Sequence, residues 1–330
     1  MQAANSAASY GGVTKTFHWL TALLILTAFP LGMIANGLPF GTGEELAQKA
    51  WLFSLHKTVG IAAFLVALAR ILWALSQVKP AGLHPENRLE TFMAELVHWL
   101  LYASMLIVPL SGWLHHAATE GFAPILWPLG QGLPLVPKSE PVAEGFAAVH
   151  FVFTKLLGLS VLLHIAGALK HVVIDRDATL ARMLPGQPEV QVTPAPHGHA
   201  PMLAAAVIYA AGFAGALALA NQDSHQATAS ATATALAAVP SQWQVTEGTI
   251  EITVDQLGNR VTGSFADWTA AINFSETAIE GRHGDAEVTI AVGSLTLGSV
   301  TAQALGQGFF EAEAFPTALF RADILSDADG

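Results

Sequence analysis

The chain has 330 residues, of which 52% are apolar and only 12% carry a charge. Soluble domains usually contain about 25% charged residues, and the mean hydropathy here is +0.48, so the composition indicates a membrane protein. The absence of cysteine excludes disulfides, iron–sulfur clusters and thiolate zinc sites. A metal centre would therefore have to use histidine, of which there are 13.

The net charge of −11 comes entirely from the last third of the chain. Residues 1–220 hold 11 basic and 11 acidic residues, whereas residues 221–330 hold three arginines and 14 acidic residues. Two regions in different solvents therefore meet near residue 220. The sequence offers no basic stretch of the kind that binds nucleic acid.

Four long apolar stretches and an alanine-rich fifth stretch precede that boundary. They are Phe17–Ala35, Trp51–Ser76, Phe92–Ala118, Phe146–Val173 and Met202–Ala220. A helix of roughly 20 residues crosses the hydrocarbon core, and lipid forces backbone groups to pair internally, so we expect five transmembrane helices. A cleaved signal peptide is the alternative for the first stretch, but its apolar run exceeds the usual length of about 7–15 residues.

Basic residues near the ends of the spans divide unequally between the two sides of the membrane. Seven share the side of the N-terminus: Lys15, Arg70, Lys79, Arg88, Lys170, Arg176 and Arg182. Four share the other side: Lys49, Lys57, Lys138 and Lys155. Because cytoplasmic flanks carry the excess, we expect a cytoplasmic N-terminus and a periplasmic C-terminal region.

Histidines inside the spans are the candidate functional residues, because ionisable groups are costly in lipid. The first four stretches contain His18, His56, His98, His150 and His164. On one helix, His150 and His164 share a face and differ in height by about 21 Å. In height, His18 matches His164 and His56 matches His150. This predicts two bis-imidazole sites stacked through the bilayer, the ligation that suits haem b in electron transfer.

Other uses of intramembrane histidines remain alternatives at this point. Hydrogen-bonded interior histidines, a proton relay or a divalent-metal transporter would also place histidine in a span. Relay and transport sites usually add carboxylates, and the span interiors offer only Glu95. The roles of His115, His116, His197 and His199 stay open, and the last two are expected in a polar loop.

Two further residues belong to the cytoplasmic ends of the spans. Arg70 follows His56 by 14 residues and lies at the height of His98. A haem propionate or a quinone oxygen would be a suitable partner for it, unless it snorkels to the surface. His171 follows His164 by seven residues and is a candidate alternative ligand or proton donor to a quinone.

An ordered series of short motifs runs through residues 10–186. The motifs are Phe17-His18-Trp19-Leu20, Leu55-His56-Lys57-Thr58-Val59-Gly60, Ala69-Arg70-Ile71-Leu72-Trp73, Pro109-Leu110-Ser111-Gly112-Trp113, Leu163-His164, Ala168-Leu169-Lys170-His171, Arg176-Asp177 and Arg182-Met183-Leu184-Pro185. Together they resemble the bacterial cytochrome b561 family. The resemblance implies a four-helix dihaem bundle that exchanges electrons with membrane quinone, and in some members oxidises superoxide at the periplasmic face. It implies the ligand pairs His18/His164 and His56/His150, with His98 and His171 on the quinone side.

The C-terminal region alternates polar and apolar residues, as β-strands do. The alternating segments are 249–254, 259–265, 270–274 and 287–292. Gly263-Ser264-Phe265-Ala266-Asp267-Trp268, followed by Phe309-Phe310, Phe315-Pro316-Thr317 and Phe320, resembles the YceI family. That resemblance implies a lipocalin-like barrel that binds a polyisoprenoid. The 91 residues from 240 to 330 fall short of the roughly 120 that eight strands with turns need, so we expect an incomplete barrel with exposed edges.

The expected organisation has four parts. They are a four-helix membrane domain at 1–190, a loop and fifth transmembrane helix at 191–220, a flexible linker at 221–240 and a partial YceI-like barrel at 241–330. The expected function is electron transfer between a periplasmic donor, two haem b groups and ubiquinone or another isoprenoid quinone. The acidic C-terminal region would repel an anionic donor such as superoxide if it lay over the haem.

Two alternative functions follow from the same sequence. In the first, the chain is the haem-bearing membrane anchor of a larger dehydrogenase complex. In the second, it is a non-enzymatic, membrane-tethered polyisoprenoid carrier. Haem content separates the carrier from the other two functions.

Overall fold

A computed structural model describes most of the chain as two compact units. The described residues are 2–119, 123–130, 132–186, 188, 190–192, 198–230, 236, 241, 243, 245–256, 259–298 and 300–326. The first unit comprises Met1–Gly37, Leu52–Ala118 and Ile125–Gln222, and the second comprises Leu38–Trp51, Thr119–Pro124 and Asp223–Gly330. His197 lies outside the described residues.

Five long helices account for the membrane part of the chain. They are α1 (Gly12–Gly37), α2 (Gly43–Leu75), α3 (Arg88–Ala118), α4 (Glu140–Lys170) and α5 (Ala200–Ser230). A π-helical turn at His171–Asp175 extends α4. Within the described residues, all five contain a stretch long and apolar enough to cross a membrane. The chain is thus a multi-pass membrane protein, and the predicted helical membrane bundle is confirmed.

The fifth helix packs against α3 and α4 through a small buried cluster. Tyr209 of α5 donates a hydrogen bond to the Leu100 carbonyl at 2.6 Å, and its hydroxyl lies 2.7 Å from that of Ser104. Gly212 allows close approach, because a Cβ there would lie 2.9 Å from the ring of Phe153. Small residues and interhelical hydrogen bonds are what hold helices together in lipid. The helix continues to Ser230, ten residues into the segment expected to be a linker, and its alanine-rich sequence favours helix.

The β-strands all lie in the second unit. They are β1 (Ile250–Gln256), β2 (Asn259–Phe265), β3 (Trp268–Ile279), β4 (Arg282–Ala291), β5 (Leu295–Thr296) and β6 (Thr317–Leu325), and a short helix, α6, spans Thr301–Leu305. They form two antiparallel three-stranded sheets, ordered β1-β2-β5 and β3-β4-β6. Within the described residues these sheets do not close into a barrel, which confirms the expected partial barrel.

Candidate functional site

The four helices α1 to α4 bring the intramembrane histidines together in two groups. His18 of α1 and His164 of α4 have ring centroids 6.0 Å apart. His56 of α2 and His150 of α4 have ring centroids 6.2 Å apart. All four rings are half-buried. We call the two ends of the bundle, after these groups, the His18 end and the His56 end.

The spacing of both pairs suits two axial ligands of one iron. A histidine nitrogen lies about 2 Å from a metal ion that it binds, which puts the centroids of two opposed rings roughly 6 Å apart. A haem between the rings would also cover surface that is now partly exposed. The residues present therefore fit haem at both positions.

Backbone carbonyls orient the two rings at the His56 end. The Nδ1 atom of His56 lies 2.8 Å from the Ala28 carbonyl of α1, and that of His150 lies 2.8 Å from the Val108 carbonyl of α3. A carbonyl oxygen only accepts, so each Nδ1 carries the proton and each Nε2 keeps the lone pair that a metal needs. This is the usual outer support of a ligating histidine.

Two glycines let those rings approach the neighbouring helices. A Cβ at Gly32 would lie 2.8 Å from the His56 ring, and a Cβ at Gly112 would lie 3.0 Å from the His150 ring. Each glycine follows its carbonyl by four residues, one helical turn on the same face. Sequence reasoning gave neither glycine a role. The sequence feature that could have drawn attention to them is a proline two or three residues before each glycine, in Pro30-Leu31-Gly32 and Pro109-Leu110-Ser111-Gly112.

The His18 end gathers a third histidine and an arginine. His98 of α3 lies with its ring centroid 5.1 Å from that of His164, and its Nδ1 donates to the Ala94 carbonyl at 2.6 Å. Arg70 of α2 interacts electrostatically with His18, His98 and His164. Its guanidinium lies over a tyrosine ring, that of Tyr102, 5.6 Å from the centroid. Among the described residues, no carboxylate forms an ion pair with Arg70.

His171 lies in a different environment, at the end of α4. Its Nδ1 is 2.7 Å from Asp177 and 3.2 Å from Asp175, and its Nε2 is 3.3 Å from Glu90. The structure therefore places His171 among carboxylates and shows no ring contact between it and His164 in the described part of the chain.

Asp177 is the centre of this acidic cluster. One of its oxygens also lies 3.1 Å from Nε2 of His84, and Thr179 donates its backbone N–H to the other at 2.8 Å. Burial raises the pKa of the Asp177 carboxyl, but hydrogen bonds from Thr179 and His171 outweigh burial and hold the pKa at about 2. The carboxylate therefore ties the segment after α4 to the loop that precedes α3.

Replacing Asp177 with asparagine should destabilise the protein by roughly 2 kcal/mol at pH 7, because a depressed pKa means that the fold favours the ionised carboxylate. The stability that the ionised Asp177 contributes is fully present above the ordinary pKa of 3.8. It is lost as the pH falls toward about 2, the pKa of this carboxyl in the folded protein. Thermal unfolding in detergent, followed by circular dichroism, should show a gap between wild type and variant that shrinks from pH 5 to pH 2.5.

The matched control for this prediction is Glu86→Gln, which removes an exposed carboxylate 3.4 Å from His84. It should change the unfolding temperature little, since exposed pairs contribute about 0–1 kcal/mol. A gap for Asp177→Asn that is constant with pH would contradict the assigned pKa.

The His56 end carries a cluster of basic residues beside its histidine pair. Lys57 is buried, with 7% of its surface exposed, and interacts electrostatically with His115 and His116. The rings of His115 and His116 lie 4.6 Å apart, and His115 donates from Nδ1 to the Ala143 carbonyl at 2.8 Å. His199 is exposed in the loop before α5. Lys57, His115 and His116 therefore form a polar cluster beside the pair of His56 and His150.

These features define a class of protein, a helical membrane bundle with paired histidines whose spacing fits haem. Residues 9–186 match the prokaryotic cytochrome b561 family, and residues 241–329 match the YceI-like domain. The chain belongs to the prokaryotic cytochrome b561 family, with a YceI-like domain fused behind it, as the two resemblances predicted. It is a membrane b-type cytochrome that transfers electrons.

Curated relatives align with the membrane part of the chain. "Cytochrome b561 homolog 2" of Escherichia coli (strain K12) is 30% identical over 185 residues, which are 56% of this chain and 95% of the relative. "Probable superoxide oxidase CybB" of Yersinia pestis is 24% identical over 172 residues, or 51% of this chain and 91% of the relative. "Cytochrome b561 homolog 1" of Escherichia coli (strain K12) is 24% identical over 170 residues, which are 51% of this chain and 92% of the relative.

Proposed function

We propose that this protein is a dihaem, quinone-linked oxidoreductase of the bacterial inner membrane. His18 and His164 would hold an inner haem, and His56 and His150 an outer one. The observation that carries the proposal is the spacing of 6.0 Å and 6.2 Å in the two histidine pairs. When bound, the two haems supply one-electron carriers at two heights in the bilayer.

The proposed topology puts the His18 end at the cytoplasm and the His56 end at the periplasm. It rests on the excess of basic residues at the His18 end. The YceI-like domain would then be periplasmic, where it would present or sequester an isoprenoid quinone. This domain leaves large apolar side chains exposed, among them Phe315 before β6 and Leu319 and Phe320 on β6.

Arg70 and His98 are the proposed quinone-binding residues. Quinone reduction takes up protons, so its site needs a hydrogen-bond donor to a quinone oxygen and a group that exchanges protons. Arg70 would donate to one oxygen. His98 uses Nδ1 for the Ala94 carbonyl, so its Nε2 stays available for proton exchange. His171, held by carboxylates, would serve in proton supply from the cytoplasm rather than in direct contact with the quinone.

The donor would approach the His56 end. Lys57, His115 and His116 lie near the pair of His56 and His150 and would line the approach of the donor. The relative named "Probable superoxide oxidase CybB" supports superoxide as that donor.

The first test is a dithionite-reduced minus oxidised spectrum of the detergent-purified protein, with haem quantified as its pyridine complex. We expect a b-type spectrum and about two haems per chain. Superoxide that an added enzyme generates from dissolved oxygen should reduce the haems, added superoxide dismutase should prevent this, and added ubiquinone should reoxidise the haems.

The alternatives give different results in the same test. A haem-free protein would refute the proposal and favour the tethered isoprenoid carrier. A dihaem protein that purifies with dehydrogenase subunits and reacts only through them would favour the membrane-anchor function. A dihaem protein that superoxide does not reduce would leave the quinone-linked role and exclude that donor.

A further inference from the structure

The segment that follows α4 is held tightly against the start of α1. Lys15 donates from its Nζ to the carbonyls of Leu184 and Gly186, both at 2.7 Å. Trp19 donates from its indole nitrogen to the Met183 carbonyl at 2.9 Å. These bonds fix the residues that directly follow Arg182 and so hold Arg182 at the His18 end.

Arg182 is a buried cation with unused hydrogen-bond donors. Only 5% of its surface is exposed, and one Nη atom donates to the Ala81 carbonyl at 3.0 Å. Its Nε and its other Nη are buried and have no hydrogen-bond partner among the described residues. Leaving a buried charged donor unpaired costs several kcal/mol in general. The side chain is therefore positioned as one that has a polar ligand.

Tyr10 supplies a second unused donor beside this guanidinium. The Arg182 guanidinium lies 5.5 Å from the centroid of the Tyr10 ring, and the Tyr10 hydroxyl has no hydrogen-bond partner in the part of the chain that the structure describes. Burial raises the pKa of the Tyr10 hydroxyl, so it stays protonated and able to donate. An arginine fork and a phenol together suit an oxyanion.

Arg70 connects this corner to the inner histidine pair. It interacts electrostatically with Tyr10 and also with His18 and His164. Arg182 and Tyr10 lie at the His18 end, because Trp19, the residue after His18, donates to the carbonyl of Met183, the residue after Arg182. A haem held by His18 and His164 would carry two carboxylates on one edge of its macrocycle.

We propose that Arg182 and Tyr10 form a buried oxyanion site that binds a propionate of the inner haem. The inference rests on the proposed function, because it requires haem at His18 and His164. A phosphate from a lipid headgroup has the same chemistry and is the other source that the test must distinguish.

The test is potentiometric titration of both haems in the purified holoprotein. Arg182→Gln should shift the reduction equilibrium of one haem at least tenfold toward the oxidised form, which is about 59 mV for one electron, because a cation near the haem favours the reduced state. The other haem should keep its potential. Arg182→Lys, which keeps the charge, should keep the potential close to that of the wild type. Tyr10→Phe should shift the potential in the same direction as Arg182→Gln, but by less.

The matched control is Arg176→Gln, which removes an exposed arginine from the same segment and should leave both potentials unchanged. If neither Arg182→Gln nor Tyr10→Phe moves a potential while the wild type holds two haems, the inference is overturned and the proposed function stands. A wild type without haem would instead overturn the proposed function, so the two failures are distinguishable.

Reconstitution with the dimethyl ester of haem separates the two sources of oxyanion. An esterified propionate cannot pair with the guanidinium as an anion, so the ester should weaken haem retention in wild type and change it little in Arg182→Gln, where the pair is already lost. Haem retention that the ester weakens equally in both proteins would assign the site to a lipid phosphate and overturn the propionate assignment.

Discussion

Replacing His164 with alanine should lower the haem content of the purified protein from about two haems per chain to about one. A bis-imidazole haem that loses one axial ligand loses most of its affinity for the site and its low-spin spectrum. His18→Ala should remove the same haem, whereas His56→Ala and His150→Ala should remove the other. Pyridine-haemochrome quantitation and redox titration of each variant measure which haem is lost.

His98→Ala is the decisive control, because His164 has two histidine neighbours. The ring of His98 lies only 5.1 Å from that of His164, compared with 6.0 Å for His18. An iron between two imidazoles needs roughly 6 Å between their centroids, so His98 should not be a ligand. His98→Ala should therefore keep both haems and lose quinone reactivity. Loss of a haem from this variant, with both haems kept in His18→Ala, would exchange the roles of the two residues.

Helix geometry explains why much of the site was predictable from sequence. A helix converts a separation in residues into a height and a facing direction, and a membrane restricts the heights at which spans begin. The positions of His18, His56, His150 and His164 were therefore enough to propose two pairs. The two families were predictable for a different reason, since each leaves ordered motifs that composition alone would not reveal.

Features that depend on packing between helices were not predictable in this way. The acceptors for His56 and His150 are backbone carbonyls, which every residue has, so only the crossing of the helices selects Ala28 and Val108. Arg182 follows α4 in a single 3-10 turn, Ala181–Met183, which is too short for sequence periodicity to predict the direction of its side chain. Its burial results from bonds such as that of Lys15 to Leu184, which link residues 169 positions apart.

The position of His171 was also not predictable from regular helix geometry. Its spacing of seven residues places it on the face of His164 if α4 continues unchanged, which favoured a role near the quinone. In the structure it begins a π-helical turn, and its Nδ1 and Nε2 both face carboxylates. The carboxylates around His171 therefore determine its environment, and the roles of Arg70, His98 and His171 on the quinone side remain predictions.

Gly32→Leu and Gly112→Leu should each remove the outer haem while leaving the inner one in place. The ring of His56 or His150 is held between its carbonyl acceptor and the neighbouring helix, and even a Cβ would lie within 2.8 Å or 3.0 Å of it. A leucine would push the ring off its acceptor, and overpacking of this kind typically costs about 1–3 kcal/mol. Haem content should fall from about two to about one per chain.

Smaller substitutions, from glycine to alanine, test the orientation of the histidine rings without removing the haem. The rings of His56 and His150 are nearly perpendicular, at 86°, an arrangement that gives ferric haem a strongly anisotropic low-spin electron paramagnetic resonance signal. Gly32→Ala or Gly112→Ala should keep the haem but rotate one ring, which would move the highest g value of that signal. The control is Gly215→Leu on α5, where a Cβ meets no atom within 4 Å, and it should leave haem content and spectrum unchanged. Unaltered spectra in all four variants at the two glycines would show that neighbouring side chains, and not these close backbone approaches, determine the orientation of the ligands.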